Sequence, residues 1–298
     1  MLLELSLALT QLKDLPVAKF PATSAAAPQA LVVERSGGVL AEDVFFSRLA
    51  AADIVYVGEK HDSAPQHRVQ LEALRGLHER KPRLAVGLEM VSVDMQGSLD
   101  DYSARRISDA QFAGFWAKAW GFDFKLYEPI LSYARENGLP LVALNAPRSI
   151  VSQTARGGLS SLTPEQRSLI PPEIRPIQDA DYLRYVKQTL NGHGQLTPER
   201  EARMLEAMQV WNETMGRSAA EAAEKHGALF VIAGSGHMLF RSGIAESAPR
   251  YGAGAQAVVL PYPQDDESLP MEELLRRLRD PQAGDLRLAD YFWLVPGG

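Results

Sequence analysis

An apolar run that stops at a Gly-x-x-His signature occurs twice in this chain. Asp53-Ile-Val-Tyr-Val57 is followed by Gly58-Glu59-Lys60-His61, and Ala228-Leu-Phe-Val-Ile-Ala233 is followed by Gly234-Ser235-Gly236-His237. Short runs rich in β-branched residues read as buried strands. Two strands that end in the same polar signature belong at one edge of one sheet. Their histidines then face a shared ligand or catalytic site rather than the core.

The rest of the sequence supplies such a sheet. Leu31-Val-Val33 and Val39-Leu40, separated by Gly37-Gly38, suggest a small hairpin, and 41–51 a helix leading into the first central strand, 53–57. Helix 64–80, strand 84–88, a helical stretch over 93–120 broken near 103–108, helix 128–137 closed by Gly138, and strand 139–144 follow in alternation. The pattern resumes with strands 228–233, 255–260 and 289–295. Alternating strands and helices predict an α/β fold with a mostly parallel central sheet flanked by helices on both faces. Residues 14–30 read as an extended connector. Residues 157–226, with helical segments near 179–190 and 197–226, read as a helical insertion or lid within a single domain, 1–298.

Composition narrows the function. A formal charge of −6 argues against a nucleic-acid partner, which needs a clustered basic surface. The absence of cysteine excludes disulfides, thiolate metal sites and cysteine nucleophiles. No apolar run approaches the roughly 18–20 residues of a membrane span. The start, Met1-Leu-Leu-Glu-Leu-Ser-Leu-Ala-Leu9, lacks a basic segment and carries Glu4, so the chain as written reads as cytoplasmic, and as exported only if a signal has been trimmed. The expected partner is a small-molecule ligand, with a homodimer left open.

Four strand ends carry groups capable of chemistry: Glu59, His61 and Asp62; then Glu89; then Asn145 and Arg148; then Ser235 and His237. In open parallel sheets, ligands bind beyond the carboxyl ends of the strands. Three readings fit. His61 and His237 with Glu59 or Glu89 form a two-imidazole, one-carboxylate set for a divalent metal. Without metal, a histidine serves as general base, a carboxylate orients it, and Arg148 stabilises developing negative charge. In the third, the pocket only binds, with Arg148 pairing an anionic group.

Around these, His67 and Gln70 on the helix after His61 are expected to line the same crevice, and Asp62 to cap that helix. The aromatic segment Phe112, Phe115, Trp116, Trp120, Phe122, Phe124, Tyr127 reads as a packing face or as an apolar cover for a flat ligand such as a porphyrin. The Ser235 context does not match a nucleophile elbow.

The ordered set Val57-Gly-Glu-Lys-His-Asp62 with His67 and Gln70, Gly87-Leu-Glu-Met90 with Gln96, Tyr127-Glu-Pro129, Leu144-Asn-Ala-Pro-Arg148, Gly234-Ser-Gly-His-Met238 and Ala289-Asp-Tyr291 resembles the ChaN family of haem-binding uptake proteins in the Tiki superfamily. The resemblance implies an α/β domain with a helical insertion. It also implies a site built from the paired Gly-x-x-His motifs with a glutamate and an arginine: His61, His237, Glu59 or Glu89, and Arg148. As a binding protein the chain would take haem or a related iron-containing ligand in iron acquisition, with His67, Gln70, Asn145, Arg148 and Tyr127 around it. As an enzyme it would be a metal-dependent hydrolase. It differs from the lipoprotein form of the family in having neither an export signal nor a lipid-carrying cysteine.

Overall fold

Alternate residues of each apolar run serve opposite layers of the molecule. The computed structural model describes residues 31–191, 196–265 and 267–296. The connector expected at 14–30 and the apolar start lie outside the described residues. In chain order the elements are β1 (Leu31–Glu34), β2 (Val39–Leu40), α1 (Glu42–Ala50), β3 (Ile54–Glu59), α2 (Ala64–Arg80), β4 (Ala85–Ser92), α3 (Gln96–Ser103), α4 (Asp109–Ala119), α5 (Phe124–Glu136), β5 (Leu141–Asn145), α6 (Arg148–Gly157), α7 (Pro164–Ser168), α8 (Ala180–Asn191), α9 (Pro198–His226), β6 (Leu229–Gly234), α10 (Ile244–Ser247), β7 (Gln256–Tyr262), α11 (Met271–Leu278) and β8 (Tyr291–Leu294). No helix among the described residues is long and apolar enough to cross a membrane.

The strands form one sheet in the order β2-β1-β8-β7-β3-β6-β4-β5. The run from β8 to β5 is parallel, and β1 pairs antiparallel with both β2 and β8. Val55 and Val57 of β3 point into the layer of α1 to α5, with Phe45, Leu74, Phe112 and Ile130. Ile54 and Tyr56 point into the opposite layer of α8 to α11, with Tyr182, Met215, Ala219 and Leu274. This period of two is the ordinary consequence of the pleat, and burial on both faces explains why the strands read as unbroken apolar runs.

The topology explains why the two signatures meet. β3 leads through α2 to β4 on one side. After β5, the long crossover α6–α9 returns the chain to β6, which inserts between β3 and β4, and β7 then takes the other side of β3. β3 and β6 become parallel neighbours with Glu59 opposite Gly234, so His61 and His237 emerge from adjacent strands at the same edge. The interval expected as an insertion or lid is in large part this crossover. The 29-residue α9 lies against β3, β4, β5 and β6, and its small residues Ala219, Ala220 and Ala223 are buried there.

Two strands are longer than their sequence suggests. β3 runs through Glu59, and β4 runs to Ser92 instead of ending at Leu88. In β4 the cause is a register irregularity between Leu88 and Ser92: pairing with β6 ends at Leu88, and pairing with β5 resumes at Ser92. Glu89 therefore sits in a locally unpaired stretch inside a strand, not in the loop after one.

Gly76 marks the closest approach of α2 to α1, where an added Cβ would run into the Phe46 ring. Gly76→Ala is expected to lower unfolding stability by about 1–3 kcal/mol through overpacking, despite alanine's better helix propensity. Urea denaturation checks this, and a gain in stability would contradict the close packing.

Candidate functional site

Glu59 continues the face of Val55 and Val57, which places its carboxylate between α2 and α5. Its side chain is 0% exposed. One oxygen, Oε1, accepts from His61 Nδ1 at 2.8 Å and from the Tyr127 hydroxyl at 2.6 Å. The other, Oε2, accepts from Gln70 Nε2 at 2.9 Å and faces His67 Nδ1 at 3.3 Å. A carboxylate is acceptor-only, so His61 carries its proton on Nδ1, and the neutral ring has its lone pair on Nε2. The neighbours are held in turn. Gln70 also donates to the Val57 carbonyl at 3.1 Å, His67 Nε2 meets the His61 carbonyl at 3.1 Å, and Trp120 Nε1 donates to the Tyr127 hydroxyl at 3.2 Å.

The second pair lies beside the first. Glu89 Oε2 accepts the Gly234 N–H at 2.5 Å, and Oε1 lies 3.4 Å from His237 Nε2. His237 Nδ1 contacts Asn212 Oδ1 at 2.8 Å, while the Asn212 amide donates to the Tyr182 hydroxyl and to Gln209 Oε1. With both amide hydrogens committed, Asn212 can only accept from His237, so His237 carries a proton on Nδ1. Tyr182 in turn donates to the Gly236 carbonyl at 2.9 Å, tying α8 to the second signature. Gly234 has no side chain because there is no room for one. An added Cβ would stand 2.7 Å from His61 Cε1 and 3.5 Å from Glu89 Oε2.

The structure thus brings together His61, Glu59, Glu89 and His237, but as two pairs, Glu59 hydrogen-bonded to His61 and Glu89 within 3.4 Å of His237, instead of one ring of metal ligands. Among the described residues no group of three or more His, Asp or Glu side chains is arranged to hold a metal ion. The reason is local: Glu59 already accepts three hydrogen bonds, from His61, Gln70 and Tyr127, and Glu89 is turned to a backbone N–H. His67, Gln70 and Tyr127, expected to line the crevice, are buried beneath Glu59 and support it. Asp62 does not cap α2. Ser63 holds the N-cap position without a side-chain bond, and Asp62 reaches Lys60 at 3.5 Å on the surface. Ser235 Oγ is buried, has no hydrogen-bond partner among the described residues and faces Gly58.

Next to the pairs opens a cleft of about 300 Å³, lined by Glu89, Asn145, the start of α6 and the end of α4. Asn145 donates to the Glu89 carbonyl at 2.9 Å and accepts the Ala146 N–H, which holds this wall in place. Trp120, Trp211, Met90 and Met95 give the cleft apolar surface, and Lys118 and Arg148 stand in it as cations. Both are exposed, and among the described residues neither has a carboxylate within ion-pair reach. Arg148 donates to the Trp120 carbonyl, at 3.4 Å. The aromatic segment is divided by this arrangement. Phe112, Trp116 and Tyr127 are core, whereas Trp120 and Phe122 meet the His61 ring at 4.8 and 5.1 Å. Trp211 meets His237 edge-on at 5.7 Å. Lys118, Trp211 and Asn212 were not legible as site residues, since each lies in a helical run with no local signature.

Electrostatics follow from the pairing. Burial works against a charged His61, but the hydrogen bond to Glu59 and the charges of Glu89, Glu59 and Asp62 prevail and hold its pKa above the ordinary value. Burial likewise opposes ionised Glu89, yet His237, His61 and the Gly234 N–H keep its carboxyl below the usual range. The Tyr127 hydroxyl is pushed far up by burial and by Glu59, so it remains a donor.

Comparison with known proteins adds the following. The sequence profile of the family described as "Haem-binding uptake, Tiki superfamily, ChaN" matches residues 45–247. The chain is similar in fold to a solved structure described as cofacial haem binding to ChaN of Campylobacter jejuni, with a TM-score of 0.64 at 17% identity, covering 90% of this chain and 97% of that one. A mutant erythromycin esterase, EreC in its open conformation, gives a TM-score of 0.50 at 12% identity, covering 86% of this chain and 93% of the other. At such identities the likeness shows the fold alone. Protein RETICULATA-RELATED 5, a chloroplastic protein of Arabidopsis thaliana, is 25% identical over 269 residues; the match covers 83% of this chain but 35% of that relative's length.

Tyr127→Phe keeps the ring but removes one donor from a buried carboxylate, and is expected to destabilise by about 1.5–3 kcal/mol in urea unfolding. The pH dependence has a definite sign. Stability from protonated His61 is complete below its ordinary value of 6.5 and is lost as pH rises through the raised one, whereas that from ionised Glu89 is complete above 4.5 and is lost as pH falls through its depressed value. Thermal unfolding of wild type and His61→Asn between about pH 5 and about pH 9 should show the wild-type margin shrinking as pH rises. A margin independent of pH would contradict the pairing.

Proposed function

The chain belongs to the haem-binding uptake family ChaN of the Tiki superfamily, and from that premise we propose that its strand-end cleft binds haem or a closely related flat, anionic, iron-containing ligand in iron acquisition. The observation that carries the reading is the cleft's composition: apolar walls from Trp120 and Trp211 with Lys118 and Arg148 beside them, neither paired with a carboxylate among the described residues. A volume of about 300 Å³ stands at the small end of ligand pockets. A porphyrin presents a flat apolar face and carboxylates, and this donor set suits both. Trp120 and Trp211 would take the face, and Lys118, Arg148 and the backbone N–H groups at the start of α6 the carboxylates.

The iron-ligating types nearest the ligand are the thioethers of Met90 and Met95, which line the cleft, and the imidazoles of His61 and His237, which lie behind Trp120 and Trp211. When bound, haem supplies the iron that the protein carries. The chain's own residues bind the anionic edge, keep water from the apolar face, and hold a bare Nε2 on His61 against the Glu59 carboxylate. An imidazole whose far N–H is donated to a carboxylate is a more basic ligand than a free one.

A second reading, a hydrolase, draws on the same pairs. A histidine with Nδ1–H on a buried carboxylate and Nε2 bare is arranged as a general base, and Arg148, in the neighbouring cleft, would be the cation to stabilise developing negative charge. In this form the chemistry needs no metal held by the two glutamates.

A Soret-band titration with haemin tests the first reading. Saturable binding is expected, weakened by about tenfold or more in Arg148→Glu, as the loss of a charge-assisted pair implies. No spectral change on adding haemin to the wild type would overturn it.

A further inference from the structure

A second concavity lies away from the strand ends, between the turn after α6, the segment leading into α8, and α9. Its volume is about 390 Å³, and Leu159, Ile174, Ile177, Leu183, Ala202 and Leu205 make most of its wall. The charged side chains around it are engaged. Lys187 pairs with Glu201 at 2.7 Å, Arg175 with Glu173 at 2.9 Å, and Glu206 accepts the Leu159 N–H at 2.8 Å. A charged ligand would have to displace one of these contacts. The wall otherwise offers apolar surface and one buried amide, Gln209.

That amide stands at the end of a one-directional chain of hydrogen bonds. His237 Nδ1 donates to Asn212 Oδ1 at 2.8 Å, Asn212 Nδ2 to Gln209 Oε1 at 3.0 Å, and Gln209 Nε2 to the Arg175 carbonyl at 2.6 Å. Gln209 and Asn212 lie three residues apart on α9 and so share a face. Each donor in such a chain polarises the next, so a change at one end is felt at the other. Among the described residues Gln209 Nε2 donates one N–H, to the Arg175 carbonyl, which leaves its second N–H for a ligand, and Gln209 lines the cavity.

We propose that this cavity is a second ligand site, for a compact, uncharged, mainly apolar molecule with one hydrogen-bond acceptor, and that its occupancy reaches His237 through Gln209 and Asn212. The volume lies in the range of small-molecule pockets. The apolar wall and the spare amide N–H set the ligand's chemistry, and the engaged ion pairs exclude a charged one. The site is separate from the cleft beside Trp120, and the proposal stands whatever that cleft binds.

Prodan, a neutral naphthalene ketone whose fluorescence reports its surroundings, is a suitable probe for the full chain. Saturable, blue-shifted binding is expected, weakened about tenfold or more in Ala202→Trp, which fills the cavity from α9. It should be retained in Trp120→Ser, which alters the strand-end cleft and one hydrogen bond to Tyr127, neither of them part of this cavity. Should Ala202→Trp fail to fold, Leu183→Trp fills the same space from α8. Absence of binding, binding unaffected by either filling variant, or binding lost in Trp120→Ser would overturn the site. The link is read separately, in the ¹H–¹⁵N signal of the His237 Nδ1–H. Saturating prodan should shift this signal in wild type and leave it in place in Gln209→Leu, and no shift in wild type would overturn the coupling.

Discussion

One buried carboxylate holds this site together. Glu59 brings a negative charge to the end of a central strand, where water cannot solvate it, and the surrounding structure must supply the missing solvation. It does so with donors from three elements: His61 from the loop after β3, Gln70 from α2 and Tyr127 from α5, with His67 of α2 lying beside them. Docking of α2 and α5 on this face, the tautomer of His61 and the setting of Trp120 all trace back to that requirement. Removing a single partner leaves a charge short of a donor in a low-dielectric interior, which is why the network behaves as a unit.

The second histidine is held by different means. His237 takes its orientation from Asn212 on α9 and stands close to Glu89, while Glu89 is fixed by the backbone of Gly234. One layer of the molecule thus positions the first histidine and the opposite layer the second, and the sheet edge brings them side by side. The topology makes this work: β6 inserts between β3 and β4, so the two signatures fall on adjacent strands although most of the chain separates them in sequence. The cleft with Trp120, Arg148 and Trp211 sits on the outer side of these pairs, so a ligand there contacts the surface that the buried networks hold still.

Much of this was legible in the sequence. Apolar runs gave the strands, their alternation with helices gave a mostly parallel sheet, and the repeated Gly-x-x-His located the edge where the histidines meet. The Gly138 C-cap was likewise readable, since a glycine after Asn137 takes the φ of 67° that the end of α5 requires. What escaped was set by tertiary contact. Nothing near Glu89 announces that β4 runs on past a register shift. His67, Gln70 and Tyr127 read as crevice residues because sequence spacing shows which side of a helix they occupy, but not how deeply it is buried. Asn212 lies in a long helical run with no mark that it faces His237. Nor could spacing show how His61, His237 and the two glutamates pair: residue types suited to a metal are equally suited to pairing with one another, and only coordinates distinguish the two.

The most direct test of the account is the position of iron in crystals of this protein grown or soaked with haemin, read from anomalous scattering at the iron edge. The account predicts a peak in the cleft flanked by Trp120 and Trp211, with Arg148 and Lys118 on the carboxylate side of the ligand. Iron at another surface, with this cleft unchanged, would contradict it.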